Sequence, residues 1–233
     1  MKNRILFIAM LAFAAFVNIS CDDESTEGMT RITYYAQLSL EGDKTLYVDK
    51  GAEFVDPGYS AIMEGEDVTD MVKVSSNVNT AKSGVYSISY SIVNNDGFYS
   101  TASRTVIVTD PNDPVEGLYG TDPEKSYRLY GGETPYGASF DILILNNGDG
   151  TYSVDDLLGG WYCQRAGYGT DYAMEGTISV DADGNITLIN SYVPGWGDSA
   201  TGITNGKVVD GTINWTVEYT DTPLIFVVKM YKK

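Results

Sequence analysis

From Val85 to Val93 the chain alternates without a break, with Tyr86, Ile88, Tyr90 and Ile92 on one side and Ser87, Ser89 and Ser91 on the other. Successive side chains of an extended backbone point to opposite faces, so the segment predicts a strand with one face in a core and one in water. The same period of two returns at Thr212 to Tyr219, where Ile213, Trp215, Val217 and Tyr219 oppose Thr212, Asn214, Thr216 and Glu218. Beyond its first twenty residues the chain is rich in Tyr, Val, Ile and Thr and has no long stretch of 3.6-residue periodicity. It is therefore predicted to be all-β.

Two prolines in Asp110-Pro111-Asn112-Asp113-Pro114 interrupt both helix and sheet, and they mark 110–114 as a linker between units at 34–109 and 115–233. In the first unit, strands at Lys44 to Val48 and Tyr59 to Met63 flank an Asp56-Pro57-Gly58 turn, Asn94-Asn95-Asp96-Gly97 turns the chain, and Arg104 to Val108 ends the unit. About seven short strands of this kind predict a two-sheet sandwich. In the second unit, Asn147-Gly148-Asp149-Gly150-Thr151, Asp181-Ala182-Asp183-Gly184-Asn185 and Asp210-Gly211-Thr212 read as hairpin turns. Successive hairpins predict an antiparallel meander closing into a barrel or sandwich, a lipocalin-like arrangement among them. Asp181 to Asn185 alternates oxygen ligands but lacks the acid at the twelfth position of a calcium loop, so it reads as a turn and no metal is assigned.

The chain begins with Lys2 and Arg4, an apolar run from Ile5 to Val17, and then Ser20-Cys21-Asp22-Asp23-Glu24. The run falls short of the roughly 20 residues that span a bilayer and has the length of a secretory signal. A small residue before Cys21 resembles the bacterial lipobox, although Asn18 stands where an aliphatic residue is usual. The resemblance implies a signal peptide at 1–20, lipidation of Cys21 and an acidic tether at 21–33. The carboxylates after Cys21 also resemble the export signal of Bacteroidetes surface lipoproteins, which implies an outer-membrane anchor with the protein exposed at the cell surface.

Charge excludes several classes. The chain has 15 Lys and Arg against 32 Asp and Glu, and loss of Lys2 and Arg4 with the signal takes the net charge from −17 to about −19. Such a surface repels nucleic acid and favours neutral or cationic ligands, or a protein with a basic face. There is no histidine, which removes the Ser-His-Asp triad and His-containing zinc sites. Cys163, between Tyr162 and Gln164 in a strand-like stretch, reads as an inert buried thiol. No cofactor motif is present, and no pair among the many carboxylates is singled out for glycoside hydrolysis, so a non-enzymatic protein is expected.

The distinctive feature is a pair of glycine-rich aromatic stretches. Gly159-Gly160-Trp161-Tyr162 runs on through Gly167-Tyr168-Gly169-Thr170-Asp171-Tyr172, and Ser191-Tyr192-Val193-Pro194-Gly195-Trp196-Gly197-Asp198 forms the second. Flat rings held on glycine-framed loops can stack on sugars while neighbouring polar groups bond hydroxyls. The candidate glycan-binding residues are Trp161, Tyr162, Arg165, Tyr168, Asp171, Tyr172, Trp196 and Asp198. In the competing reading these rings fill the core of a small β-domain. Exposure of Trp161 and Trp196 side by side separates the two.

Phe54-Val55-Asp56-Pro57-Gly58-Tyr59-Ser60-Ala61, Asp67-Val68-Thr69, Gly84 to Tyr90 and Ala102 to Val108 resemble a bacterial immunoglobulin-like domain, a family also found in pesticidal crystal proteins. The resemblance implies a spacer or adhesion module with no catalytic residues. The order of signal, tether, Ig-like module and aromatic domain resembles accessory lipoproteins of Bacteroidetes glycan-import systems, with Asp155 to Gly176 and Gly195 to Asp198 as the recognisable pieces of the C-terminal part. That implies a neutral polysaccharide and outer-membrane transport proteins as partners, with membrane contact through the lipid anchor only.

Overall fold

The structure, a computed structural model, describes residues 32–219 and 223–233. The signal peptide, Cys21 and the tether up to residue 31 lie outside the described residues. Strands dominate, and the helical elements are single turns. Among the described residues no helix is long and apolar enough to cross a membrane.

The N-terminal half packs two sheets. One joins β1 (Gln37–Leu40), β3 (Tyr59–Met63) and β4 (Glu66–Asp67), and the other runs β2-β7-β6-β5, from Thr45–Asp49, Tyr99–Thr109, Gly84–Val93 and Lys73–Ser76. The alternation read at Val85 to Val93 works as predicted: Ile88, Tyr90 and Ile92 are buried, while Ser87 and Ser89 face water. Between the sheets lies the fully buried Arg104. Its Nη1 donates to Asp56 Oδ1 at 2.8 Å, and its Nη2 donates to the carbonyls of Glu41 at 2.5 Å and Gly58 at 3.2 Å. The Tyr90 hydroxyl donates to Asp56 Oδ2 at 2.5 Å. The Asp56 turn, Tyr90 and Arg104, separated in sequence, thus form one network.

The C-terminal half is one curled antiparallel sheet. Its path runs from β8 (Gly117–Thr121) to β11 (Asp141–Asn146), β12 (Thr151–Val154), β13 (Glu175–Val180) and β14 (Ile186–Tyr192). In the other direction it continues through β17 (Leu224–Lys232), β16 (Thr212–Tyr219) and β15 (Ala200–Val209). A short hairpin of β9 (Tyr127–Leu129) and β10 (Glu133–Pro135) lies beside β17. The curl brings β14 back to β15, where Asn185 pairs with Lys207 and the Val208 amide donates to the Gly184 carbonyl at 2.8 Å. Ile213, Trp215, Val217 and Tyr219 all point into the enclosed core with Phe226, Val228 and Met230. All three Asp-Gly segments join neighbouring antiparallel strands. At the 181–185 turn the Lys207 ammonium donates to the Asp183 carbonyl at 2.7 Å and the Asn185 side-chain oxygen at 2.9 Å, so a protein cation serves those oxygens.

The Pro-rich segment is fastened at both sides. Asp113 accepts backbone N–H groups from Val115 and Glu116 and the Asn146 side chain, and Lys50 pairs with Asp110 at 3.3 Å. Buried Glu116 accepts the Ser83 hydroxyl at 3.0 Å and the Asp110 amide at 3.3 Å.

Candidate aromatic binding site

The first aromatic stretch hangs from β12 and returns at β13, and a buried carboxylate folds it. Asp156 Oδ1 accepts the amides of Leu158 at 2.9 Å and Met174 at 3.1 Å, and Oδ2 accepts that of Gly160 at 3.0 Å. Burial outweighs these bonds and raises its pKa to about 6. Leu157 and Leu158 enter the core, where their carbonyls accept Trp215 Nε1 at 2.8 Å and the Tyr136 hydroxyl at 2.6 Å. Gly159 and Gly160 then take left-handed conformations, and a Cβ on Gly160 would stand 2.5 Å from that of Phe140.

A π-helical turn, Trp161–Arg165, follows where the sequence reads as strand-like. It points Trp161 inward, so this candidate is corrected to a core residue. Its ring is 3% exposed and lies 5.0 Å from Tyr136 and 6.0 Å from Phe226. The guanidiniums of Arg165 and Arg128 cover it at 4.1 and 5.0 Å, and Arg165 Nε donates to the Tyr136 carbonyl at 3.0 Å. Cys163 is half-buried within this turn, not in a strand, and burial pushes its thiol up to about 11, so it stays protonated.

The remaining aromatics converge. Gly195 donates its amide to the Asp171 carbonyl at 2.7 Å, and a Cβ there would stand 2.7 Å from the Tyr172 ring. This close approach carries Trp196 onto the first loop, with its ring 4.7 Å from Tyr162, 4.9 Å from Tyr172 and 6.3 Å from Tyr168. Tyr168 stacks on Tyr162 with an interplanar angle of 19° and meets Tyr172 at 5.5 Å. Tyr168 is 57% exposed and Trp196 41%, whereas Tyr162 and Tyr172 form a half-buried base. Asp171, next to Tyr172 in the chain, and Arg165, which lies over the Trp161 ring, are both exposed. Asp198 Oδ1 accepts the Tyr219 hydroxyl at 2.7 Å, which ties the second loop to β16. Two further side chains complete the cluster, neither with a sequence signal of its own: Phe226 beneath Tyr162, and Arg128, whose guanidinium opposes the burial that raises the Tyr162 pKa.

A separate cleft of about 350 Å³ lies between the halves, with Val85 on one wall and Leu143, Leu145, Asp155, Glu175, Asn190 and Tyr192 on the other. Asp155 opens onto it with its side chain exposed to solvent, and partial desolvation beside the sheet, with the neighbouring Asp156 carboxyl, pushes its pKa upward. Val154 pairs with Gly176 across β12 and β13, so Asp155 and Glu175 are neighbours on one wall. Among the described residues the facing wall contributes Val85.

Two family profiles match the chain: a bacterial surface protein Ig-like domain over residues 38–108, and a family described as a C-terminal domain over residues 108–232. Among solved structures, the lipoprotein BT2262 from Bacteroides thetaiotaomicron is 39% identical, with a TM-score of 0.72 over 85% of this chain and 100% of that one. Two structures of Clostridium perfringens ZmpB also match. One holds its M60 catalytic domain with two CBM51 domains, at 17% identity and a TM-score of 0.28 over 84% of this chain and 21% of that chain. The other shows CBM51-2 in complex with GlcNAc, together with INT domains, at 18% identity and a TM-score of 0.27 over 84% of this chain and 43% of that chain. No curated protein matches the chain.

Proposed function

The chain belongs to the family of the Bacteroides lipoprotein BT2262, joining a bacterial surface Ig-like domain to that family's C-terminal domain, and from this premise we propose that it is a lipid-anchored, non-catalytic glycan-binding protein of the outer cell surface. Acylation of Cys21 provides the anchor, and the acidic residues after it direct the protein outward. The Ig-like half holds the aromatic surface away from the membrane.

One observation carries the binding role. Two glycine-framed loops, far apart in sequence, set Tyr162, Tyr168, Tyr172 and Trp196 in a single cluster and leave Tyr168 and Trp196 open to solvent. A core would bury them, and clustered exposed rings on a fixed base suit the faces of a neutral sugar chain. Asp171 and Arg165 supply hydroxyl partners. The acidic surface leaves a neutral polysaccharide as the best-suited ligand, with outer-membrane transport proteins as the receivers of what is captured.

The cleft beside Asp155 does not favour hydrolysis. Its two carboxyl groups share one wall and face an apolar side chain, whereas acid and base in a glycosidase flank the bond they cleave.

The test is affinity electrophoresis of soluble Thr30 to Lys233 through gels containing neutral polysaccharides. Retardation by one of them, lost in folded Trp196→Ala and Tyr168→Ala variants, supports the proposal. Equal mobility in every gel moves the protein to a structural or protein-interaction role.

A further inference from the structure

The end of the Ig-like half nearest the tether displays side chains its core does not use. Ile32, Tyr34 and Tyr35 precede β1, and Phe98 and Tyr99 follow the turn between β6 and β7. All five are exposed, Ile32 at 68% and Tyr99 at 69%. They gather at one end of the half: the Tyr35 and Phe98 rings lie 5.8 Å apart, and the Asn94 side-chain amide donates to the Tyr34 backbone carbonyl at 2.7 Å. The patch is rigidly mounted, because the same buried Asn94 accepts the amides of Asp96 and Phe98 at 3.0 and 2.8 Å.

Exposed apolar and aromatic side chains gathered at one end of a domain mark an interaction surface. Tyr and Phe, apolar with or without a polar tip, match the boundary between lipid headgroups and acyl chains. Position selects the occupant. Ten residues lie between Cys21 and Ile32, a reach of at most about 40 Å even when fully extended. We propose that this patch rests on the lipid surface that holds the anchor, with Phe98 and Tyr99 at the headgroup boundary. The proposal rests on the reading of Cys21 as acylated. The patch alone binds weakly, and the anchor supplies the local concentration that keeps it seated.

The test uses the full acylated chain, purified from membranes and reconstituted into phosphatidylethanolamine–phosphatidylglycerol vesicles with or without brominated acyl chains. Phe98→Trp and, separately, Tyr99→Trp each add one indole to a parent whose Trp161, Trp196 and Trp215 set the background. Brominated lipid is expected to cut the added emission at least twofold in either variant and to leave unchanged that of Tyr130→Trp, an exposed position just after β9 in the C-terminal half. Unquenched emission from both tether-end variants, in protein whose intact mass carries acyl chains, overturns the patch and leaves the anchor standing. A mass without acyl chains overturns the anchor, and the proposal with it. Equal quenching of Tyr130→Trp also overturns the proposal, since contact would then not be confined to this end.

Discussion

Trp161 and Trp196 each follow a glycine, yet they face opposite media. The first is covered on its face by Arg165 and at its edges by Tyr136 and Phe226, whereas the second is half open and packs on the tyrosines of the cluster. Trp161→Ala is expected to cost about 3–5 kcal/mol, the range for truncating a large core aromatic. Trp196→Ala should cost about 1 kcal/mol or less, because most of what it loses is surface contact, and it should abolish polysaccharide retardation. Urea unfolding beside affinity electrophoresis checks both, and similar losses of stability would refute the assignment of one ring to core and the other to surface. In the Ig-like half, Arg104→Ala leaves Asp56 and two carbonyls without their buried donor. A loss of about 1–3 kcal/mol is expected from denaturant midpoints, the cost of leaving buried acceptors without their donor, while the partly exposed Asp56 keeps water and the Tyr90 hydroxyl.

At the scale of elements, the strands were readable because their order is local. A period of two identifies β6 and β16 from side-chain chemistry alone, and Thr212 to Tyr219 is both the predicted and the observed strand. Asp-Gly pairs located the hairpins for the same reason. The segment between β12 and β13 was not readable. A five-residue π-helical turn has no repeat to detect, and Asp156, which organises it, is one acid among 32. The inward direction of Trp161 depends on Phe226, a distant partner on β17. The candidate cluster was legible as two loops, but their meeting depends on the close approach at Gly195. Gly195→Ala is therefore expected to push Tyr172 away and weaken polysaccharide retardation severalfold, with a smaller effect on stability than Trp161→Ala. Unchanged retardation would show that the fit at Gly195 does not set the surface. Asp156→Ala, which orphans three buried amides, should destabilise by roughly 3 kcal/mol or more, with Asp156→Asn restoring part of the loss.

For the whole molecule, buried acids shape the response to pH. Burial raises Asp156 to about 6, and it raises Glu116, whose Oε1 has no hydrogen-bond partner among the described residues. Asp155 is shifted the same way, but its exposed side chain is screened by water and contributes less. A carboxyl whose pKa is higher folded than unfolded contributes stability that is fully present below its unfolded value and is lost as pH rises through the folded one. These groups therefore favour the fold in mild acid and oppose it above neutrality, in the same direction as self-repulsion of a chain with net charge −17. Asp67, Asp149 and Asp181 act oppositely. Hydrogen bonds from Thr69, Thr151 and Asn185 hold them below the usual carboxylate range, and their contribution disappears in stronger acid. The melting temperature should accordingly rise as pH falls from about 8, peak between roughly pH 4 and 6, and then decline. Asp155→Asn keeps an acceptor for the Leu143 amide while removing a charge that is open to solvent, so it should raise the melting temperature at pH 8 only slightly and leave most of the rise to Asp156 and Glu116. Calorimetry across this range decides the matter. A melting temperature that climbs steadily from pH 5 to 8 would mean that the enclosed acids are ionised in the folded protein at little cost.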